Sequence, residues 1–210
     1  MIDCDIALLG DDAVSLRPVD REHRHTLAQS LRESGRWVDV VPGKEIVAVR
    51  FDPQVTAPAE AVAGLEDWLK NYDGQSYGAG EPMELVLDTS AANAPDLEAL
   101  AQQNKLSPEA FLQKVIQSDL VVDMLGFTPG FAYVDGVDKS LVAERLSVPR
   151  VKVPAGSVGL LSGQIGLYAL EGPGGWPIIG RLNKKLFDAE KRNPFLLQAG
   201  QPISLKLAAS

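Results

Sequence analysis

From about residue 120 onward, the chain consists of short apolar runs separated by glycine and proline, and this pattern constrains the fold more than any other feature. The runs include LVVDMLGF, VKVPAGSVGLL, QIGLYAL, PIIGR and PISLKL. In the last run Ile203, Leu205 and Leu207 alternate with polar residues, which is the period-two pattern of a half-buried strand. Short strands with a turn signal roughly every ten residues predict a β-barrel or β-sandwich.

The first part of the chain instead alternates strand and helix patterns. IALLG, AVSLR, WVDVV and EIVAVRF read as strands, and DREHRHTLAQSLRESG and PAEAVAGLEDWLKNY read as amphipathic helices. This order predicts a small sandwich with both helices on one face of a sheet. The predicted fold class is therefore α+β: an N-terminal α/β sandwich domain over residues 1–75, a linker over 76–82 within DGQSYGAGEP, and a β-barrel domain over 83–210.

The barrel domain is predicted to open with one strand and two helices before its run of short strands. MELVLD has the strand pattern, and APDLEALAQQNK and SPEAFLQKVIQ have the helical one. Ser107 is the expected N-cap of the second helix, with Pro108 at its first position.

The charge balance and composition argue against several classes of function. The chain has 20 Lys and Arg against 28 Asp and Glu, a net charge of -8, whereas a nucleic-acid binder needs a basic face. Cys4 is the single cysteine, so no intrachain disulfide forms, and no Cys/His cluster offers a metal site. The two histidines, His23 and His25, are predicted on a solvated helix face. Without a signal-peptide pattern or a membrane-length apolar run, we predict a cytoplasmic protein with no membrane partner.

The glycine-rich stretch from 156 to 180 lacks the pattern of a phosphate-binding loop. It holds eight glycines, but GxxxxGK[ST] is absent and Pro177 stands where the last glycine of GxGxxG would fall. The following segment, IIGRL, is strand-like, so no helix N-terminus is available to hold an anion.

Two isolated polar residues are weak candidates for functional groups. Ser157 lacks the GxSxG context of a nucleophile, and an ordinary turn serine is the favoured interpretation. Asp123 interrupts an apolar strand. Its carboxylate either points to solvent, which is the favoured interpretation, or lies in a pocket with a partner.

Two clusters of aromatic and polar residues are candidates for a binding site. The segment GFTPGFAYVDG contains Phe127, Phe131 and Tyr133. The segment from 150 to 181 contains Arg150, Gln164, Tyr168, Trp176 and Arg181. Rings with a few polar groups on rigid Gly/Pro turns suit an apolar small-molecule groove. The alternative, slightly favoured by spacing alone, is that the rings fill the barrel and the arginines lie on its surface.

These motifs, taken in order, resemble a known family. The matching segments are GFTPGFAY, VDGVD, PRVKVPAGSVG, GLY, GPGGWPIIGRL and LFD, with weaker agreement in LLGDDAVSLR, VVPGKEIVAVRFDP and PFLLQAGQPISL. They resemble the family variously called allophanate hydrolase subunit 1, the B-type subunit of 5-oxoprolinase and KipI, the sporulation kinase inhibitor. The resemblance covers nearly the whole chain. It implies a small α/β domain followed by a cyclophilin-like β-barrel.

The resemblance also implies a function, partners and a cofactor. Family members usually act with a homologous second barrel subunit (the C-type subunit of 5-oxoprolinase, or KipA-like) and a third subunit, and together they cleave 5-oxoproline to glutamate using ATP. A small amide is therefore the implied substrate, with ATP bound by this subunit or elsewhere in the complex. Related paired domains of urea carboxylase suggest a urea- or allophanate-related subunit as a weaker option. The main alternative is a KipI-like regulator that binds and inhibits a sensor histidine kinase.

Cleavage of an unreactive amide requires hydrogen-bond donors at the developing oxyanion. We hypothesise that the catalytic donors are Arg150, Gln164 and Arg181. The predicted substrate-binding residues are Phe127, Tyr133, Ser157, Tyr168 and Trp176, and no metal is predicted. Trp176 and Arg181 are expected to border the same groove as Phe127 and Tyr133.

The sequence also departs from the family pattern. The family's YGGxxGPDL reads LDTSAANAPDL, GFPYL reads GFAYV, and a YP pair is replaced by Tyr168–Ala169. A common histidine is replaced by Gln117 or Ser118. Without a histidine in the second domain, acid–base catalysis near neutral pH requires a carboxylate or a group from a partner. A diverged, non-catalytic or differently specific paralogue is therefore a further alternative.

Overall fold

The computed structural model describes residues 4–18, 21–73 and 82–208. The chain divides into two compact units, Met1–Gly78 and Ala79–Ser210. Apart from Pro82, the predicted linker lies outside the described residues, so the domain boundaries at 75 and 83 stay predictions. Within the described ranges, no helix is long and apolar enough to cross a membrane.

The N-terminal unit is a four-stranded antiparallel sheet packed against two helices. Its strands are β1 (Cys4–Leu9), β2 (Ala13–Pro18), β3 (Asp39–Pro42) and β4 (Val47–Arg50), in the spatial order β1-β2-β4-β3. The helices are α1 (Arg21–Glu33) and α2 (Pro58–Lys70). Alternate strand residues pack on one stripe of each helix: Val14, Leu16, Val47, Val49, Leu27, Leu31, Leu65 and Leu69. The predicted α+β sandwich is confirmed.

Helix α1 is less solvated than its polar sequence indicates. Arg24 is 1% exposed, and its guanidinium donates to the Lys44 carbonyl oxygen and lies 3.1 Å from Nε2 of His25. His23 and His25 are half-buried, so the prediction of a solvated histidine face was wrong. The physical reason is that the loop before β4 supplies a carbonyl acceptor, which lets a guanidinium be buried with a hydrogen-bond partner.

The second unit contains a closed seven-stranded barrel. Its strands are β5 (Met83–Asp88), β6 (Leu120–Leu125), β7 (Ala132–Asp135), β9 (Ser157–Leu161), β10 (Gln164–Leu167), β12 (Ile178–Leu182) and β13 (Pro202–Leu207). The order around the barrel is β10-β7-β6-β13-β5-β12-β9. The β13–β5 pair is parallel, and the other pairs around the barrel are antiparallel.

Further elements of this unit lie outside the barrel sheet. Strands β8 (Arg150–Val153) and β11 (Gly172–Gly174) form a separate antiparallel ribbon. Helices α3 (Leu97–Gln103) and α4 (Pro108–Ile116) contribute to the same core as the barrel. Helix α4 begins as predicted, because the Ser107 hydroxyl accepts a hydrogen bond from the Ala110 N–H at 3.2 Å and Pro108 occupies the first turn.

The core of this unit is mainly aliphatic. Its inward-facing strand residues are Leu85, Leu87, Val122, Val134, Val158, Leu160, Ile165, Leu167, Ile179 and Leu205. Phe131 and Tyr168 belong to a different buried cluster, against which Tyr133 packs. The interpretation that the rings fill the barrel was therefore wrong, while the predicted barrel fold is confirmed.

Candidate functional site

Five aromatic residues form one connected cluster, which we call the aromatic cluster: Phe127, Phe131, Tyr133, Tyr168 and Trp176. Phe131 is central, with ring centroids 4.8 Å from Tyr133, 5.1 Å from Tyr168 and 6.4 Å from Trp176. Interplanar angles from 62° to 88° are the edge-to-face geometry that aromatic pairs prefer. The rings therefore form an ordered apolar surface.

The aromatic cluster packs on two glycines of neighbouring barrel strands. A Cβ atom on Gly166 would lie 2.9 Å from Phe131 Cζ and 3.0 Å from the Trp176 ring, and one on Gly159 would lie 2.9 Å from Trp176 Cβ. In β10 the flanking Ile165 and Leu167 belong to the barrel core, so Gly166 faces the opposite side of the sheet. The rings consequently lie against the outer face of the barrel. The glycines of this stretch make room for rings rather than for a phosphate.

Tyr168 is the most enclosed phenol of the cluster. Its hydroxyl lies against Gly174, where an added Cβ would be only 2.3 Å from Oη. Burial raises the pKa of Tyr168, and this outweighs the lowering by a hydrogen bond with the Trp176 backbone and by the positive charges of Arg145 and Arg150. The phenol is therefore neutral near neutral pH.

Arg150 is held by a carboxylate that sequence reasoning did not single out. Its two terminal nitrogens donate to the two oxygens of Asp96, each at 2.8 Å. Oδ2 of Asp96 also accepts the Ile178 backbone N–H at 2.6 Å. The hydrogen bonds with Asp96 raise the pKa of Arg150, so the guanidinium stays charged. Asp96 thereby connects the start of α3 to β8 and β12.

Gln164 lies on the same outer face of β10 as Gly166. Its side-chain amide donates to Oδ1 of Asp135 at 2.6 Å, directly across the β10–β7 pair. One step along the same face, Tyr133 lies opposite Gly166. The structure thus places the Gln164 amide beside the aromatic cluster.

The remaining predicted site residues have different surroundings. Arg181 is exposed, and its Nε donates to the Ala155 carbonyl oxygen at 2.8 Å. Ser157 is buried on β9 opposite Arg181, and its carbonyl oxygen accepts the Tyr168 N–H. Phe127 is 65% exposed and adopts a φ of 71°, an uncommon value for a bulky residue. The functional roles of these residues stay predictions.

Asp123 corrects an expectation drawn from the sequence. It is only 2% exposed, so the favoured interpretation of a solvent-facing carboxylate was wrong. The register of β6 on β7 shifts between Val122 and Met124, which pair with the adjacent residues Val134 and Tyr133. Asp123 is the extra residue of this bulge, and a bulge breaks the alternation on which the solvent prediction rested.

Arg145 is a second residue of the site that sequence reasoning missed. Its guanidinium carbon lies 5.9 Å from the Trp176 ring centroid. Arg145 belongs to the segment 136–149, which has no helix or strand and gave no periodic signal. Asp96 did leave a signal, because it belongs to the PDL that survives from the family's glycine-rich motif.

The segment 136–149 is held to its surroundings by hydrogen bonds along its length. Asp138 accepts from the Lys114 ammonium at 3.0 Å, and Val142 exchanges hydrogen bonds with the Asn104 side chain. The Ala143 N–H donates to Ser162 Oγ at 3.0 Å, and the Leu146 N–H donates to the Gly175 carbonyl oxygen at 2.8 Å. The backbone on both sides of Arg145 is thus anchored.

The first of these anchors predicts a pH dependence of stability. Hydrogen bonds from the Ser140 hydroxyl and N–H, followed by that from Lys114, lower the pKa of Asp138 from 3.8 to about 2. Because the folded-state pKa is depressed, the stabilisation is present above about pH 4 and is lost as the pH falls toward about 2. We expect Asp138→Asn to lower the free energy of unfolding at pH 5, with the difference from wild type shrinking toward pH 2. Urea titrations from pH 5 to 2 measure it.

The matched control for this experiment is Glu144→Gln, which removes one exposed carboxylate from the same segment. The free energy of unfolding of Glu144→Gln is expected to differ little from that of wild type at pH 5. A difference between Asp138→Asn and wild type that stays constant down to pH 2 would contradict the assignment.

The fold and site together define a class of protein: an α+β unit followed by a closed mixed β-barrel that carries an aromatic cluster on its outer face. Residues 5–197 match the family model described as carboxyltransferase domain, subdomain C and D, and the chain therefore belongs to that family. The family resemblance predicted from the motifs is confirmed.

Two curated relatives match over most of their length. The chain is 45% identical over 216 residues to the B-type subunit of 5-oxoprolinase from Bacillus subtilis (strain 168), covering 94% of this chain and 90% of the relative. It is 32% identical to the corresponding 5-oxoprolinase protein of Escherichia coli O157:H7, covering 93% and 92%.

Solved structures show the same fold. The crystal structure of TTHA0988 is similar at a TM-score of 0.80 and 27% identity. The match spans 94% of this chain and 40% of that longer chain. Urea carboxylase of Kluyveromyces lactis is similar at a TM-score of 0.67 and 13% identity, with 99% of this chain covering 22% of it. At that identity the likeness to urea carboxylase concerns the fold alone.

Proposed function

We propose that this chain is the B-type subunit of a 5-oxoprolinase complex, which opens the lactam of 5-oxoproline to give glutamate. The observation that carries the proposal is the 45% identity to a B-type 5-oxoprolinase protein over nearly the full length of both chains. Both curated relatives carry that name, which favours the hydrolase over a kinase inhibitor.

The reaction adds one water across the lactam C–N bond, so that the ring carbonyl becomes a carboxylate and the ring nitrogen becomes the amine of glutamate. Such an amide carbonyl is unreactive, and its cleavage benefits from donors placed in advance where the oxyanion develops. Arg150 and Gln164 are the proposed donors, and their side chains are held by hydrogen bonds to Asp96 and Asp135. Tyr133, the half-exposed ring of the aromatic cluster beside Gln164, offers an apolar surface for the lactam ring.

ATP is the cofactor that the family implies, and the glycine-rich stretch of this chain does not suit its phosphates. That stretch forms strands β9 to β12 and is not followed by a helix whose N-terminus could hold an anion. Two of its glycines instead provide space for aromatic rings. We therefore assign ATP to another part of the complex, and derive no step of this chain's chemistry from it. A homologous second barrel subunit and a third subunit are the proposed partners.

Reconstitution tests the proposed function. The chain is purified with the products of neighbouring genes that encode the other subunits, and glutamate release from 5-oxoproline is measured with ATP. We expect activity with the complete set and loss of activity when this chain is left out. An inactive complete set, or activity that does not require this chain, would reject the proposal.

A further inference from the structure

Arg145 is the cation of the site whose hydrogen-bonding groups are not used. Arg150 has both terminal nitrogens on Asp96, and Arg181 donates through Nε to Ala155. Among the described residues, Arg145 makes no hydrogen bond or ion pair, and its interactions are with the Trp176 ring and, through its charge, with the Tyr168 hydroxyl. Its five N–H donors therefore remain available to a ligand.

The backbone around Arg145 is anchored before any ligand arrives. The N–H of Ala143, two residues earlier, donates to Ser162, and that of Leu146, the next residue, donates to the Gly175 carbonyl oxygen. The side chain is exposed, while its guanidinium lies within cation–π distance of a Trp176 ring that is itself buried in the cluster. A guanidinium pre-positioned over an aromatic ring loses little freedom on binding an anion.

The surroundings select the chemistry of the ligand. Phe127 and Tyr133 are the solvent-accessible rings of the aromatic cluster and offer an apolar surface, Tyr168 is neutral, and Arg145 adds one positive charge beside Trp176. A complementary ligand combines a small planar ring with one negative group, and the guanidinium fork fits the two oxygens of a carboxylate.

We propose that Arg145 binds the carboxylate of a small cyclic amide whose ring packs on Tyr133, at the half-exposed edge of the aromatic cluster, so that Arg145 is the specificity-determining residue of the site. This inference rests on the proposed function, whose substrate has both a lactam ring and a carboxylate. It separates the roles of two arginines: Arg150, already paired with Asp96, is the proposed donor to the reacting carbonyl, and Arg145 holds the end of the substrate that does not react.

Calorimetric titration of the full chain tests this inference. The probes are 5-oxoproline and 2-pyrrolidinone, which has the same lactam ring without the carboxylate. Arg145→Gln is expected to weaken binding of 5-oxoproline by about 10-fold or more, because a charge-assisted hydrogen-bonded pair is lost. Binding of 2-pyrrolidinone is expected to be weak and unchanged. Arg145→Lys should recover part of the affinity, since it restores the charge but not the fork.

A matched control is Arg36→Gln, which removes the same charge from an exposed arginine of the N-terminal unit and should leave binding unchanged. Affinity for 5-oxoproline in Arg145→Gln within twofold of wild type overturns the inference, as does a full chain that shows no saturable binding of 5-oxoproline. Equal losses for both ligands would assign Arg145 a merely structural role, and would also overturn it.

The two proposals fail in distinguishable ways. A reconstituted complex that releases glutamate with an unchanged KM in Arg145→Gln retains the proposed function and rejects the role of Arg145. Conversely, a chain that binds 5-oxoproline through Arg145 while the complete set of subunits stays inactive retains the binding site and rejects the hydrolase assignment.

Discussion

Replacing Asp96 with alanine is expected to lower the free energy of unfolding of the barrel unit by about 2–3 kcal/mol, because it breaks a partly buried, bidentate ion pair. The substitution leaves the Arg150 guanidinium without its carboxylate and the Ile178 N–H without its acceptor. The Asp96 side chain is 16% exposed and that of Arg150 is 32% exposed, so solvent offsets part of the loss. Urea unfolding of wild type and variant measures the difference.

The strand that carries Arg150 also provides the control for Asp96→Ala. Lys152 pairs with Glu171 at 3.0 Å, but the two side chains are 70% and 51% exposed. Glu171→Ala is therefore expected to change stability by less than about 1 kcal/mol. A double-mutant cycle between Asp96 and Arg150 should show that their effects are coupled rather than additive. If Asp96→Ala costs no more than Glu171→Ala, the ion pair does not connect α3 to β8 and β12 as described.

Replacing Gly166 with alanine is the second change with a large expected effect, and it acts on the surface that packs the rings. The added Cβ would meet Phe131 at 2.9 Å and two Trp176 ring atoms at 3.0 Å, closer than nearly all real Cβ contacts. Both rings are buried and have little room to move. We expect a loss of about 1–3 kcal/mol in the free energy of unfolding from overpacking, and altered near-ultraviolet circular dichroism from the displaced rings.

Gly172 offers the matched position. It lies on β11 of the same unit, and a Cβ there would have no atom within 4 Å. Gly172→Ala should therefore change the free energy of unfolding by less than about 0.5 kcal/mol, and it should leave the near-ultraviolet circular dichroism of the aromatic residues unchanged. Similar behaviour of the two alanine variants would show that the rings do not pack against Gly166.

The glycine-rich stretch was only partly predictable. The strand pattern of IIGRL, at the end of this stretch, argued against a phosphate-binding loop over residues 156–180. The structure confirms that IIGRL forms a strand, β12. The purpose of the glycines was not predictable. A glycine's role depends on which side chain approaches it, and the rings over Gly166 come from the residue before β7 and from the turn before β12.

The contacts of two arginines, Arg150 and Arg145, were not predictable from the sequence either. Arg150 stands in a recognisable motif, and the structure places it in a bidentate pair with Asp96, far away in sequence. Arg145 stands in an irregular stretch between two of the family motifs, VDGVD and PRVKVPAGSVG, and belongs to neither, yet it lies over Trp176. Neither pairing has a period or a spacing by which a single sequence could reveal it.

By itself, the sequence determined the two-part α+β architecture, the short strands of the barrel, the N-cap of α4 and the family. These features depend on local conformational preference, on alternation along each strand and on motifs a few residues long. Only the tertiary structure decided that the rings lie outside the barrel, that Asp123 is buried at a bulge, and that Arg145 lies over Trp176. One reason is that closing the barrel brings together residues that are distant in sequence. The other is that both faces of its strands are covered, and alternation along a strand does not say which face turns inward.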